Sequence, residues 1–141
     1  MFRILIIDPN NPFRGSLKKV LHNRFPFVDI KEAADGVEGL HKVDVFDPNL
    51  IFLEIHLPAV SGLNLAGRIK DDHPDITIVI LTSDDLPEYQ TAAEQLGVEH
   101  MVPKDDWTGE DMIALVQSIL SDLEMDEQSD QNPDKPRRQT P

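Results

Sequence analysis

Residues 47–62 read Asp-Pro-Asn-Leu-Ile-Phe-Leu-Glu-Ile-His-Leu-Pro-Ala-Val-Ser-Gly, a short apolar run enclosed by polar and turn-forming residues. Similar apolar runs come before and after it, at Ile4 to Ile7 and at Ile76 to Leu81. None of the three runs alternates apolar and polar residues, as a strand with one solvent-exposed face does. Continuous runs of this length are typical of strands buried on both faces, as in a parallel sheet covered by helices.

The segments between the apolar runs have helical patterns. Asn11 and Pro12 suit the cap and the first turn of a helix, and apolar residues then recur on one face to about residue 24. Near the other end of the chain, Thr108 and Asp111 have the spacing of a capping box, with Asp in place of the usual Glu or Gln. An amphipathic stripe follows at once and predicts a last helix that ends near Leu123.

The remaining elements complete a regular alternation. Weaker patterns predict two more strands and three more helices: strands at Val28–Ala33 and Glu99–Val102, and helices at Gly36–Phe46, Gly62–Asp71 and Pro87–Leu96. Strand and helix then alternate five times, and right-handed crossovers between parallel strands turn such an alternation into a sheet covered on both faces. We therefore expect an α/β fold with a doubly wound, five-stranded parallel sheet.

Length and composition limit the classes of protein to consider. The 141 residues suit one domain of ordinary size, and 40% hydrophobic with 28% charged residues is a globular composition. The net charge of -13 argues against direct nucleic-acid binding, and the lack of cysteine excludes disulfides, thiolate metal sites and a cysteine nucleophile. No apolar run suits a signal peptide or a membrane span, which favours a cytoplasmic protein.

The end of the sequence differs in composition from the rest. Residues 124–141 contain one apolar residue and three prolines, too little apolar surface to order themselves. We therefore expect a domain over residues 1–123 and a disordered tail over residues 124–141. No DNA-binding or catalytic domain follows residue 123 in this sequence, so we expect a stand-alone module.

Polar side chains follow the carboxyl ends of the predicted strands, the edge at which open parallel sheets bind ligands. Asp8 follows the first strand, Glu54 ends the third, Thr82 and Ser83 end the fourth, and Lys104 lies just past the fifth. Two carboxylates can hold a hard divalent cation, while a hydroxyl and an ammonium group can bind a phosphoryl oxygen. A simpler interpretation is that Lys104 only balances two neighbouring carboxylates, a role without chemistry.

Five segments of the chain, in order, resemble the receiver domain of bacterial two-component response regulators: Ile-Leu-Ile-Ile-Asp at 4–8 followed by Arg14, Glu-Ala-Ala-Asp-Gly-Val-Glu-Gly-Leu at 32–40, the run at 47–62, Ile-Leu-Thr-Ser at 80–83, and Lys104 behind Gly97. The likeness spans about residues 2–123 and implies a flavodoxin-like fold with strand order 2-1-3-4-5. It also implies phosphorelay signal transduction. In that family an aspartate ending the third strand takes a phosphoryl group from a histidine kinase, acids after the first strand hold Mg²⁺, and the threonine and lysine engage the phosphoryl group.

The chain departs from the family pattern at the positions that carry the chemistry. Glu54 stands where the family has its phosphorylated aspartate, and the extra methylene displaces its carboxylate by about 1.5 Å, enough to impair an in-line transfer. Pro9 replaces the second acid after the first strand, so the ligands left for Mg²⁺ are Asp8, Glu54 and the backbone carbonyl of His56. Such a set holds Mg²⁺ weakly unless a phosphate is also present. We expect no firmly bound cofactor.

Two further departures concern the conformational switch of the family. Met101 occupies the position in the fifth strand where the family usually has an aromatic residue, so there is no ring to turn inward or outward. Lys104 is followed by Asp105 instead of the usual proline. The lysine-proline bond of the family is typically cis, but a cis bond before Asp105 would cost about 2.5 to 4 kcal/mol. We expect a trans bond there.

Three functions are compatible with these residues. The favoured one is an atypical receiver, or pseudo-receiver, that acts through protein-protein contacts without phosphorylation and without enzyme activity. Glu54 would either imitate the phosphorylated state in part, by approaching Thr82 and Lys104, or leave the domain in its resting shape. The second is a true receiver phosphorylated on Glu54. The third, a metal-dependent phosphohydrolase of the haloacid dehalogenase type, lacks the second aspartate such enzymes need, because Asn10 occupies that position.

The resemblance also implies a docking surface made of the fourth helix, the fifth strand and the fifth helix. In this chain that surface would include Tyr89, Gln90 and Ala93 on the fourth helix. The implied partners are a histidine kinase or a downstream effector, and such domains often form homodimers. Neither nucleic acid nor a membrane is an expected partner.

Overall fold

A computed structural model of the chain describes residues 2–83 and 87–131, and the side chains of those up to residue 123. Within these ranges five strands and five helices alternate. The strands are β1 (Arg3–Ile7), β2 (Asp29–Ala33), β3 (Leu50–Glu54), β4 (Thr77–Thr82) and β5 (His100–Pro103). The helices are α1 (Asn11–Arg24), α2 (Gly36–Phe46), α3 (Gly62–Asp72), α4 (Pro87–Gln95) and α5 (Gly109–Gln131).

The five strands form one parallel sheet in the order β2-β1-β3-β4-β5. Strands β1 and β3 pair inside the sheet, and Ile4 to Ile7 and Leu50 to Leu53 have no exposed surface. A strand buried on both faces needs no in-out alternation, which is why the uninterrupted apolar runs predicted these strands correctly. The predicted doubly wound α/β fold and its strand order are confirmed.

The core of the sheet lies against helices α2 and α3. Ile7, Leu53 and Ile80 come from three neighbouring strands and belong to one buried cluster with Leu65 of α3. Helix α2 approaches β1 so closely that a Cβ atom at Gly39 would lie 2.7 Å from Cδ1 of Ile7. Because the strands pack side by side in register, their carboxyl ends meet at one edge.

Helix α1 is capped by Asn10, not by Asn11 as the sequence suggested. The Asn10 side-chain oxygen accepts a hydrogen bond from the backbone N–H of Phe13 at 2.9 Å, which satisfies a donor that the first turn leaves open. Pro12 lies in that turn, where its missing N–H costs nothing. The proline correctly indicated a helix start. The choice of cap was wrong because two adjacent asparagines have the same capping group.

Two compact units divide the chain, one ending at Trp107 and the other beginning at Thr108. The second unit contains the predicted capping box. The N–H of Asp111 donates to Oγ1 of Thr108 at 3.1 Å, and the N–H of Thr108 donates to Oδ2 of Asp111 at 3.0 Å. The predicted domain of residues 1–123 extends across the division at Trp107 and stays a prediction.

Helix α5 continues to Gln131, beyond the end predicted near Leu123. The structure therefore differs from the expected disordered tail over residues 124–131, where glutamate, methionine and glutamine favour helix and neither glycine nor proline interrupts it. The rest of that expected tail lies outside the described residues. Among the helices within the described ranges, none is both long and apolar enough to cross a membrane.

Candidate functional site

Three of the predicted site residues, Asp8, Glu54 and Lys104, form an ion cluster at the carboxyl edge of the sheet. The Nζ atom of Lys104 lies 2.6 Å from Oδ2 of Asp8 and 3.0 Å from Oε1 of Glu54. The strand register explains how the two acids meet. Ile7 of β1 pairs with Leu53 of β3, so the residues that follow them lie side by side. The predicted convergence of these three side chains is observed.

The carboxylates of the ion cluster are buried and hydrogen-bonded. Asp8 is 1% exposed and Glu54 is 5% exposed. The second oxygen of Asp8, Oδ1, accepts from the N–H of Asn10 at 2.8 Å, and Oε2 of Glu54 accepts from the N–H of His56 at 3.2 Å. Each carboxylate oxygen therefore has a partner, as the high cost of burying an unpaired charge requires. Two acids and one ammonium leave the cluster with one excess negative charge.

The Lys104 ammonium group is charged at neutral pH. Burial lowers the pKa of Lys104, but the hydrogen bonds to Asp8 and Glu54 and the charges of the two carboxylates outweigh burial. The pKa of Lys104 therefore lies above its usual value of 10.5. The positive member of the ion cluster persists from neutral to strongly alkaline pH.

The other predicted site residues lie at the end of β4, just after it and on β5, and they differ in burial. Thr82 is 1% exposed, and its carbonyl oxygen accepts a hydrogen bond from the N–H of Lys104 at 2.8 Å. Ser83 is exposed, while Met101 is half-buried and packs against the hydrophobic core. The bond between Lys104 and Asp105 is trans, as predicted, since no described peptide bond is cis. The roles assigned to Thr82, Ser83 and Met101 stay predictions.

An aromatic contact that sequence reasoning missed lies beside the ion cluster. The Nζ atom of Lys104 is 4.4 Å from the centroid of the Phe13 ring. Phe13 in turn meets Trp107 edge to face, with 5.9 Å between ring centroids and an interplanar angle of 90°. In the sequence pattern Phe13 is one of the apolar residues that recur on one face of α1. The available signal was its place one turn after the cap Asn10, close to Asp8 in the sequence.

Two further side chains contact the segments that carry the acids. Arg14 donates from Nη1 to the backbone carbonyl of Asp8 at 2.5 Å and from Nε to Glu32 at 3.0 Å. It thereby ties the end of β1 to β2. The exposed His56 ring meets Tyr89 of α4 with 5.9 Å between ring centroids and an interplanar angle of 73°. His56, two residues after Glu54, therefore contacts α4, the helix predicted to form part of the docking surface.

In the loop between β3 and α3, the backbone at Gly62 lies very close to the backbone of Ile55. A Cβ atom there would lie 2.6 Å from Cα of Ile55, and the N–H of Gly62 donates to the Ile55 carbonyl at 2.7 Å. Ala59 in the same loop has a φ of 67°, in the left-handed region that is uncommon for residues with a side chain. This tight loop holds the backbone of His56 next to the Glu54 carboxylate.

The arrangement does not fit a firmly bound Mg²⁺ ion. The Lys104 ammonium lies between the two carboxylates, at the position a bridging cation would need. In the part of the chain that the structure describes, no group of three or more acidic, histidine or cysteine side chains is placed to hold a metal ion. Two carboxylates already paired with a lysine are a poor donor set for an ion that demands octahedral oxygen ligands.

A groove with a volume of about 260 Å³ lies between α4 and β5. Its lining includes Gln90 and Ala93 of the predicted docking surface, together with Glu94, Val98, Glu99, His100 and Met101. Tyr89, the third residue of that prediction, packs partly buried against the hydrophobic core. The groove has two acidic side chains in its lining, and one of them, Glu99, is already paired with Lys70 at 2.6 Å.

The chain is similar to curated response regulators over most of its own length. It is 28% identical over 130 residues to the response regulator MprA of Mycobacterium ulcerans (strain Agy99), an alignment that covers 91% of this chain and 55% of the relative. It is 27% identical over 118 residues to the response regulator MprA of Mycobacterium avium (strain 104), covering 84% of this chain and 50% of the relative. The chain thus spans about half the length of the curated relatives it matches.

Solved receiver domains have the same fold. The CheY-like response regulator receiver domain protein from Methanospirillum hungatei JF-1 gives a TM-score of 0.83 at 22% identity, covering 89% of this chain and 98% of that one. The signal receiver domain of an HD domain-containing protein from Pseudomonas fluorescens Pf-5 gives 0.80 at 21% identity, covering 88% and 98%. Residues 4–117 match the family described as "Response regulator receiver domain". Since that match covers most of the sequence, this chain belongs to the response regulator receiver domain family.

Proposed function

We propose that this receiver domain of two-component signalling works through protein-protein contacts and does not take up a phosphoryl group by the usual route of its family. The observation that carries the proposal is the position of Lys104, which donates to Asp8 and to Glu54 at the same time. In the family this lysine engages the phosphoryl group. In this chain its charge is balanced by two carboxylates of the same domain.

The Glu54 carboxylate is poorly placed to accept a phosphoryl group. One of its oxygens is held by Lys104 and the other by the N–H of His56, and its side chain is 6% exposed. An in-line transfer needs the reacting atoms about 3–3.5 Å apart and aligned, while the additional methylene moves the carboxylate by about 1.5 Å relative to aspartate. Pro9 supplies no carboxylate, so a metal that would balance the charge of the transferred group is weakly held.

The contact between Glu54 and Lys104 supports a partial imitation of the phosphorylated state. The carboxylate brings one charge and two oxygens to the lysine, whereas a phosphoryl group brings about 1.5 to 2 charges and three oxygens. The alternative is a domain that stays in its resting shape. Partner affinity of Glu54→Ala and Glu54→Asp separates the two, because imitation requires both variants to bind differently from the natural chain. Unchanged affinity in both variants would eliminate imitation.

The partners we propose are a histidine kinase or a downstream effector that docks on α4 and β5. The polar groove lined by Gln90, Ala93 and Glu94 supports this surface, and the Glu94 carboxylate favours a partner with a basic group there, whereas Glu99 is already paired with Lys70. The same surface could instead join two copies of this chain in a homodimer, and light scattering tests this alternative by measuring the mass of the particle in solution. The net charge of -13 argues against nucleic acid as a partner. We propose a cytoplasmic module without enzyme activity of its own.

Intact-mass measurement after incubation with acetyl phosphate and Mg²⁺ tests the central proposal. We expect the natural chain to gain no phosphoryl group under conditions that label an ordinary receiver domain in a parallel sample. The double variant Pro9→Asp with Glu54→Asp restores the acids of the family pattern, and we expect it to gain the group. Phosphorylation of the natural chain on Glu54 would instead establish the second candidate, a true receiver. Thr82, which is 1% exposed at the end of β4, is the residue that favours that candidate.

A further inference from the structure

We propose that Phe13 and Trp107 form an aromatic cover that holds the Lys104 ammonium against Asp8 and Glu54 and shields it from reagents in solution. The inference rests on the proposed function, because it identifies what keeps Lys104 from engaging an incoming phosphoryl group. Phe13 is a positioning residue in this cover. It acts on the site only through the lysine.

The Lys104 ammonium has three described side-chain contacts, two carboxylates and one aromatic ring. An ammonium group has three N–H donors. Two donate to Asp8 at 2.6 Å and to Glu54 at 3.0 Å. The Phe13 ring lies with its centroid 4.4 Å from Nζ, within the roughly 6 Å range in which the negative face of an aromatic ring attracts a cation. The ring therefore adds a third attraction to those of the two carboxylates.

The position of the Phe13 ring is itself fixed on two sides. The backbone N–H of Phe13 donates to the side chain of Asn10 at the start of α1, and the Phe13 and Trp107 rings form a T-shaped pair at right angles. Edge-to-face pairs of this kind are a preferred aromatic geometry. The Lys104 side chain is 12% exposed, and that of Asp8 is 2% exposed. Lysine is rarely so enclosed, and the Phe13 ring, backed by Trp107, supplies an apolar part of its surroundings.

Competitive acylation of the full chain with acetic anhydride, read by mass spectrometry, tests the cover. The labelling rate of Lys104 is measured relative to that of the exposed Lys19 in the same sample. Phe13→Leu keeps an apolar side chain but removes the ring, and we expect the rate at Lys104 to rise about twofold to fivefold. Phe13→Ala also opens the cover, so the rise should be larger. Phe13→Tyr keeps the ring and should keep the protection.

Phe27→Leu is the matched control, since it removes an exposed ring that contacts Phe25 far from the lysine in sequence. It should leave labelling of Lys104 unchanged. The cover is refuted if Phe13→Leu and Phe13→Ala label as slowly as the natural chain, or if Phe13→Tyr labels as fast as Phe13→Leu. Acylation involves no phosphoryl transfer. The two proposals can therefore fail separately. If Glu54 of the natural chain is phosphorylated while Phe13 still protects Lys104 from acylation, the proposed function is wrong and the aromatic cover is supported.

Discussion

Replacing Lys104 by methionine removes the positive charge of the ion cluster while keeping a flexible side chain of similar length. Asp8 and Glu54 would then be two buried carboxylates, 1% and 5% exposed, without the cation that each contacts. Removing one partner of a buried ion pair typically costs about 3–5 kcal/mol. The Lys104 side chain retains 12% exposure, so water reaches it and the lower end of that range applies. We expect Lys104→Met to lower the free energy of unfolding by about 3 kcal/mol.

Urea unfolding followed by the fluorescence of Trp107, the single tryptophan of the chain, measures this change. Lys18→Met is the matched control, because Lys18 lies 3.6 Å from Glu32 with 43% of its side chain exposed, and such pairs contribute about 0–1 kcal/mol. A double-mutant cycle with Glu54→Gln should show a coupling of about 1–3 kcal/mol with Lys104. If Lys104→Met lowers the free energy of unfolding no more than Lys18→Met does, the ion pairs of Lys104 with Asp8 and Glu54 do not stabilise the site.

Because folding raises the pKa of Lys104 above 10.5, its contribution to stability is fully present below pH 10.5 and is lost as the pH rises through the higher folded value. In urea titrations at stepped pH the natural chain should therefore lose more free energy of unfolding than Lys104→Met on the alkaline side of 10.5, and equal losses would contradict the raised pKa. Asn10→Ala removes the side-chain cap of α1 and should lower the free energy of unfolding by about 1 kcal/mol, whereas no change would show that the cap is dispensable. Gly15→Ala should raise the free energy of unfolding by about 0.5–1 kcal/mol, since an added Cβ meets no described side chain or neighbouring segment within 4 Å; a loss would indicate an unseen contact. Gly62→Ala should lower the free energy of unfolding by about 2 kcal/mol, because the added Cβ would lie 2.6 Å from the Cα of Ile55. An unchanged free energy of unfolding in the same assay would contradict that close approach.

The sheet was predictable because its signal is local. Each inner strand is a continuous apolar run, such as Leu50 to Leu53, and its burial on both faces removes every polar residue from the run. The helix start at Pro12 and the capping box at Thr108 are also local, since they depend on residues within one turn. Parallel pairing then brings the residue after β1 and the last residue of β3 to one edge, so the meeting of Asp8 with Glu54 followed from topology.

The features that sequence reasoning missed depend on context that a linear pattern lacks. Asn10 and Asn11 have identical side chains, and only the path of the chain decides which one caps α1. The aromatic pair joins Phe13 to Trp107 across most of the first unit, so no spacing rule indicates it. The continuation of α5 to Gln131 was missed because the low apolar content of residues 124–131 predicted disorder, whereas helix propensity acts without burial.

A titration with beryllofluoride, a phosphoryl analogue, in the presence of Mg²⁺ shows whether the site accepts a phosphoryl group, with Trp107 fluorescence and amide spectra as readouts. We expect no saturable change in the natural chain, because Lys104 is already held by Asp8 and Glu54. The double variant Pro9→Asp with Glu54→Asp should respond in the same titration. A saturable response of the natural chain that disappears in Glu54→Gln would show that Lys104 and Glu54 remain open to a phosphoryl group.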